Sequence, residues 1–274
     1  MISLQDIFVA ARVTLSLGFL LYASWSDYKT REVSNRVWLV YGPIALALSL
    51  AELLLYDPLR LPFFGLSFGV TAVIAILLFY TGGFGGADSK ALMCIALALP
   101  FSVGTVLAPI SPLGGSPLAQ FLFPLTVFSN GVLFAAATGV YMFLYNVVWH
   151  ARTGKKFFEG TLAEESVGKK LLVIITGHRF PLRKLQSTWH IYPMEDVQDE
   201  GIEKSLKRSL HAMPRDEGRD EVVKRLSEAA EAGKIDGHVW ATPGLPMLIF
   251  ITIGLVVALF FGDIVWLVLS AILH

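Results

Sequence analysis

Six apolar runs, near residues 7–26, 36–55, 61–80, 89–108, 121–148 and 244–272, set the pattern of this chain. A helix crosses a hydrocarbon layer of about 30 Å with about 20 predominantly apolar residues, so each run is long enough to span it. The pattern predicts a membrane all-α protein of about six transmembrane helices. Four of the connections are short, and the loop Pro109 to Gln120, rich in Pro, Gly and Ser, holds no charge. The connection after the fifth run is different: residues 150–241 alternate helix-like and strand-like patterns and predict a small cytoplasmic α+β domain. Within it Lys170 to Thr176 reads as a buried strand and Thr188 to Tyr192 as another. Two amphipathic helices are expected to follow, over Gly201 to His211 and over Arg219 to Ala232. In the second, Asp220, Glu221, Lys224, Arg225 and Glu228 make opposite-charge pairs at helical spacing. The domains are therefore 1–149 (spans one to five), 150–241 (cytoplasmic domain) and 242–274 (sixth span).

Composition sharpens this picture. The chain is 54% hydrophobic and 16% charged with a mean hydropathy of +0.61, which excludes an ordinary soluble domain. Its 22 basic and 22 acidic residues cancel, so charge gives no case for a nucleic-acid partner. Of these, 16 basic and 15 acidic residues lie between His150 and Trp240, leaving the apolar part nearly uncharged. Basic residues beside spans stay on the cytoplasmic side. Lys29, Arg31 and Arg36 thus fix one loop inside, and alternation puts the loop with Lys90 and the segment 150–240 on the same side. Both termini then face outward, in the cell membrane. The start Met1 to Ile7 carries Asp6 and no basic cluster, so the first run reads as a retained span rather than a signal peptide. A single cysteine, Cys94, excludes an intrachain disulfide and a multi-cysteine metal site, and the six histidines lack metal-ligand spacing.

Carboxylates inside a bilayer are costly and mark function. In or beside the spans lie Asp27, Glu52, Asp57, Asp88 and Asp263, and only Asp27 and Asp88 fall at cytoplasmic span ends. Glu52 and Asp263 map to the outer half, where Arg12 is a partner for Asp263 or each reaches the outer headgroups. Two carboxylates at one depth on different helices can meet in a bundle and share a proton, one serving as general base for water and the other as general acid. Helix polarity favours the charge at Asp88, at a helix N-terminus, and leaves the shared proton more often on Asp27. The preceding glycines, Gly82, Gly83, Gly85 and Gly86, let a substrate backbone approach closely. Lys90 either orients substrate or snorkels to the interface.

These residues resemble the GxGD-type type IV prepilin peptidases, and more closely the archaeal preflagellin and prepilin peptidases. Three places carry the likeness: Asp27 followed by a basic loop and Val33-Ser34-Asn35; Gly85-Gly86-Ala87-Asp88, with Ala87 where the family carries a second glycine; and Thr242-Pro243-Gly244-Leu245-Pro246 before the last span. The resemblance implies a membrane aspartyl endopeptidase cutting class III signal peptides of prepilins or preflagellins at the cytoplasmic face. Asp27 and Asp88 would be catalytic, with Gly85, Gly86, Ala87 and Lys90 beside the substrate and neither metal nor cofactor required. Bacterial relatives often add N-methylation and a four-cysteine zinc element, and neither is expected here. The acidic stretch Glu195 to Glu200 is a candidate for recruiting a basic leader. A proton- or ion-coupled transporter is the alternative, since membrane carboxylates also carry coupling ions. Against it, both acids lie at one face and no inverted repeat is visible. A noncatalytic assembly subunit of a pilus or secretion system is a third reading.

Overall fold

The computed structural model describes residues 3–103, 116–199, 206–211 and 218–273, and the chain forms two compact units, 1–135 with 246–274 and 136–245. The first unit is helical. Helix α1 (Leu4–Thr30) opens with a capping box in which the Ser3 hydroxyl accepts from Asp6 N–H and the Asp6 carboxylate accepts from Ser3 N–H. Helix α2 (Asn35–Tyr56) starts at the Ser34 cap, and a 3₁₀ turn (Pro58–Arg60) leads into α3 (Leu61–Tyr80). Then come α4 (Gly86–Ala98), the short α5 (Pro117–Phe121) and α6 (Phe123–Thr153), which runs on into the second unit. After the second unit the chain returns as α10 (Met247–Phe261) and α11 (Ile264–Leu273).

Among the described residues four helical segments are long and apolar enough to cross a membrane: α1, α2, the stretch Pro58–Tyr80 and α6. The pair α10 and α11 makes up to a fifth, bent by 56° at its break. The expected fourth run behaves differently. Helix α4 has 13 residues, about 20 Å at 1.5 Å per residue, and it stops at Ala98, while residues 104–108 of that run lie outside those described. Pro100 is the reason, because it has no N–H to donate and disfavours helical geometry in the residue before it. Leu99 accordingly leaves the helix at φ −132° and ψ 66°.

A helix ending among apolar side chains leaves carbonyls to be satisfied. Side chains of the neighbouring helices do so here. Arg12 Nη1 donates to Ala98 O at 2.9 Å, Ser49 Oγ to Leu97 O at 2.6 Å and Ser67 Oγ to Pro100 O at 3.0 Å. Arg12 also forms a buried ion pair with Glu52. The expected partner Asp263 is elsewhere: its Oδ1 accepts from Trp266 N–H at 3.0 Å and caps α11. Glu52 wins because it stands on α2 beside the same broken helix end, where one guanidinium serves a carboxylate and a carbonyl together. The bend itself is stitched by Asn130, which donates to Gly262 O at 2.9 Å and accepts from Ile264 N–H at 3.1 Å. The expected continuous last span, 244–272, is thus two helices. Close crossing of α6 and α10 rests on Gly254, where a Cβ would overlap the Val127 carbonyl and lie 2.7 Å from Gly131 N.

The second unit holds α7 (Val167–Thr176), β1 (His178–Pro181), α8 (Leu182–Ser187), β2 (Ile191–Pro193), β3 (Glu195–Asp199), β4 (Leu206–Leu210), α9 (Arg219–Glu231) and β5 (His238–Pro243). Strand β5 lies between β1 and β2, antiparallel to both, and β3 pairs with β4 as a separate antiparallel ribbon. Trp240, Leu162, Val173, Met194 and Leu210 form one core cluster, and α9 buries Val223 and Leu226 in another with Phe180, Ile191 and Val239. Two expectations are corrected. The run to Thr176 is helix rather than strand, because Ser166 caps it by accepting from Lys169 N–H and Asn146 satisfies its far end through Ile174 O and Gly177 O. The segment expected as a helix to His211 is strand β4 over 206–210, with residues 201–205 outside those described. Its inward positions include Arg208, whose charge hides the two-residue period, and Glu195 accepts from it bidentately at 2.9 Å.

Candidate active site

Asp27 stands in the last turn of α1, half-buried. The turn is closed by Arg31 N–H, which donates to Asp27 O at 2.9 Å, and by the Ser26 hydroxyl, which donates to Glu32 O at 2.7 Å. Neither side-chain oxygen of Asp27 accepts a hydrogen bond among the described residues. The Asp27 charge bears on Asp88, and the charge of Arg31 bears on Asp27. A half-buried acid with no donor among the described residues is left available to water or substrate.

Asp88 is buried at the third position of α4, so it is not the helix cap; Gly85 is. Its Oδ2 reaches back to accept from Gly85 N–H at 2.9 Å, the side-chain half of a capping box. Gly85 is glycine for a local reason: a Cβ there would lie 3.1 Å from Asp88 Oδ2. The glycine run before it turns through Gly82, at φ +76°, a region that side chains rarely enter. Phe84 anchors the loop by packing into the core, edge-on to Phe128 at 5.5 Å. Ser89 donates to Ala75 O at 3.0 Å and holds the start of α4 against α3. Together these contacts fix the Asp88 carboxylate and leave Oδ1 without a hydrogen bond among the described residues.

Of the other expected site residues, Gly86 lies against Phe79, with 3.6 Å from a would-be Cβ to Cε2, and Ala87 is half-buried. Lys90 is exposed and its Nζ donates to Asn35 Oδ1 at 2.6 Å. That bond ties the first turn of α4 to the start of α2. It brings Val33-Ser34-Asn35, which follows Asp27 in the chain, alongside the Asp88 helix. The third motif divides: Thr242 and Pro243 end β5, and Pro246 caps α10. In the acidic stretch, Glu195 is buried on Arg208, and Asp196 is buried with its Oδ2 accepting from Arg225 at 2.6 Å. These two acids are thus occupied by internal arginines, while Glu200 lies outside the described residues. No group of three or more His, Cys, Asp or Glu able to hold a metal occurs among the described residues.

Two acids on separate helices, one fixed by a backbone N–H and the other without a side-chain hydrogen bond among the described residues, with the charge of Asp27 bearing on Asp88, define a candidate dicarboxylate centre in an apolar helical unit. Sequence comparison agrees in kind. The family model described as "Type IV leader peptidase family" matches residues 14–140, and "Archaeal Peptidase A24 C-terminus Type II" matches residues 169–264. A preflagellin peptidase of Methanococcus voltae is 26% identical over 244 residues, covering 89% of this chain and 92% of the relative. Another, from Methanococcus maripaludis strain C6, is 25% identical over 255 residues with the same coverage. These matches make the chain similar to the type IV prepilin peptidase-like family of peptidases.

Proposed function

We propose that this protein is an aspartyl endopeptidase of the cell membrane that removes class III signal peptides from archaeal prepilins or preflagellins at the cytoplasmic face. The observation that supports the reading is that Asp27 and Asp88 stand at the ends of two helices of one apolar unit, with the charge of Asp27 bearing on Asp88. Brought together on a substrate, two carboxylates cannot both be ionised without cost, so the pair holds one proton. The ionised member takes a proton from water, whose oxygen attacks the scissile carbonyl. The protonated member hydrogen-bonds the carbonyl oxygen as it becomes an oxyanion. Collapse of the tetrahedral intermediate breaks the C–N bond, and a carboxyl proton passes to the leaving amine. Both proton transfers are supplied by the pair, and the chemistry asks for no metal or organic cofactor. Gly85 and Gly86 give the substrate backbone room, Ala87 lines the same approach, and Lys90 orients the start of α4.

In this reading α4 belongs to a fourth span, giving six in all with both termini outside, and the basic residues of the 29–36 loop and of the second unit mark the cytoplasmic side. Incubating the detergent-solubilised protein with a prepilin peptide tests the proposal. Cleavage by the wild type and none by Asp27→Asn or Asp88→Asn is the expected result. Full-rate cleavage by either variant, or ion transport without cleavage, would overturn it.

A further inference from the structure

Arg31 is the one residue other than glycine with a positive φ among the described residues, at φ 57° and ψ 20°. Glycine takes this left-handed conformation freely, whereas an L side chain is crowded in it. An arginine at a left-handed helix end, where glycine is the ordinary choice, points to work done by the side chain. The surrounding bonds enforce the conformation. Arg31 N–H donates to Asp27 O at 2.9 Å, and the carbonyl of the next residue, Glu32, accepts from Ser26 Oγ at 2.7 Å and from Thr30 Oγ1 at 3.1 Å.

The side chain is half-buried, its Nε is buried with no hydrogen-bond partner, and it makes no ion pair among the described residues. Its charge is nevertheless felt at Asp27, four residues back along α1. Two nearby cations are engaged otherwise: Lys29 lies over the Trp25 ring at 4.5 Å, and Lys90 donates to Asn35. Arg31 is thus the charge that bears on Asp27, and Asp27 in turn bears on Asp88 of α4.

We propose that Arg31 is the counter-ion of the aspartate pair, a positioning residue held by its left-handed backbone where its guanidinium offsets the negative charge the pair must carry. This rests on the dicarboxylate reading above and extends it. The pair keeps one negative charge in a partly desolvated site, where an uncompensated ion is costly. A guanidinium stays charged at every working pH, so it can supply this compensation without titrating.

Arg31→Gly separates the side chain from the backbone, because glycine adopts the left-handed turn with less strain. The melting temperature of Arg31→Gly should hold or rise, while kcat for a prepilin peptide falls about tenfold or more at nearly constant KM. Guanidinium chloride in the tens of millimolar should restore part of kcat, and sodium chloride at the same ionic strength should not. Wild-type kcat in Arg31→Gly, or a loss that guanidinium leaves untouched, overturns the proposal. Should Arg31→Gly fail to accumulate, Arg31→Lys decides: retained charge should keep kcat within about threefold of wild type, and a loss as deep as that of the aspartate variants overturns it. Asp27→Asn and Asp88→Asn run in parallel. If either still cleaves, the aspartyl reading itself fails; if both are dead and Arg31→Gly is unimpaired, only the counter-ion role falls.

Discussion

Replacing Gly85 by alanine puts one methyl group where the Asp88 carboxylate now receives its backbone hydrogen bond. The new Cβ would lie 3.1 Å from Asp88 Oδ2, closer than a carbon and an oxygen settle without adjustment, so the carboxylate must turn aside by a few tenths of an ångström or more. That motion weakens the 2.9 Å bond from Gly85 N–H. A hydrogen bond to a charged group contributes about 1.5–3 kcal/mol. If the carboxylate needs that placement in the transition state, kcat should fall about tenfold to 100-fold. Stability should not follow. Gly85 sits at φ −72° and ψ 161°, extended backbone that alanine adopts without strain, and restricting the unfolded chain gains about 0.4–1 kcal/mol. Gly86→Ala is the control, since its Cβ would meet Phe79 at an ordinary 3.6 Å. Peptide cleavage rates read beside thermal unfolding in detergent decide the matter. Gly85→Ala at the wild-type rate, or an equal loss in Gly86→Ala, would refute the idea that this glycine exists to seat Asp88.

Two further outcomes follow from charges outside the aspartate pair. Arg12→Met leaves Glu52 buried without its cation, which should lower stability by about 3–5 kcal/mol, while Arg12→Met with Glu52→Met should recover much of it; equal melting temperatures for the single and double variants would refute the pairing's importance. In the second unit, burial and nearby Lys184 hold the His178 imidazole below its ordinary value of 6.5, with the ring tilted against Phe180 at 3.8 Å. As pH falls, the unfolded chain therefore takes up this proton first, so His178's neutral form supports the fold above about pH 6.5 and that support is lost on acidification. Amide exchange in β1 and β5 should quicken below that pH in wild type and less so in His178→Phe, and identical pH dependence would count against it.

The apolar runs and the two aspartates are conspicuous in the chain for one reason: against a nearly uncharged background, each long apolar run and each acid at its edge stands out. Where helices break was harder to see. Pro100 lies in an unbroken apolar run, and hydropathy is blind to a missing N–H, so the 13-residue α4 was read as a full span. Only the side chains that cover the freed carbonyls, Arg12, Ser49 and Ser67, explain how the break is tolerated. In the second unit the errors have the opposite origin. The run through Leu171 to Ile175 is apolar on every side, so periodicity could not separate strand from helix, and the deciding signal was the single cap Ser166. Strand β4 was masked by Arg208, a charge on the buried face that becomes acceptable only through Glu195 on its partner strand.

The same contrast applies at the site. Asp27 declares itself by type and depth, whereas Arg31 reads as one of several loop cations that set orientation. What distinguishes it is a backbone angle together with a buried Nε that has no hydrogen-bond partner among the described residues, and neither is written in residue type or spacing. A carboxylate pair is visible in sequence because its members are rare in their surroundings. The proposed counter-ion is common in its own, so only its conformation and its lack of an ion pair among the described residues single it out.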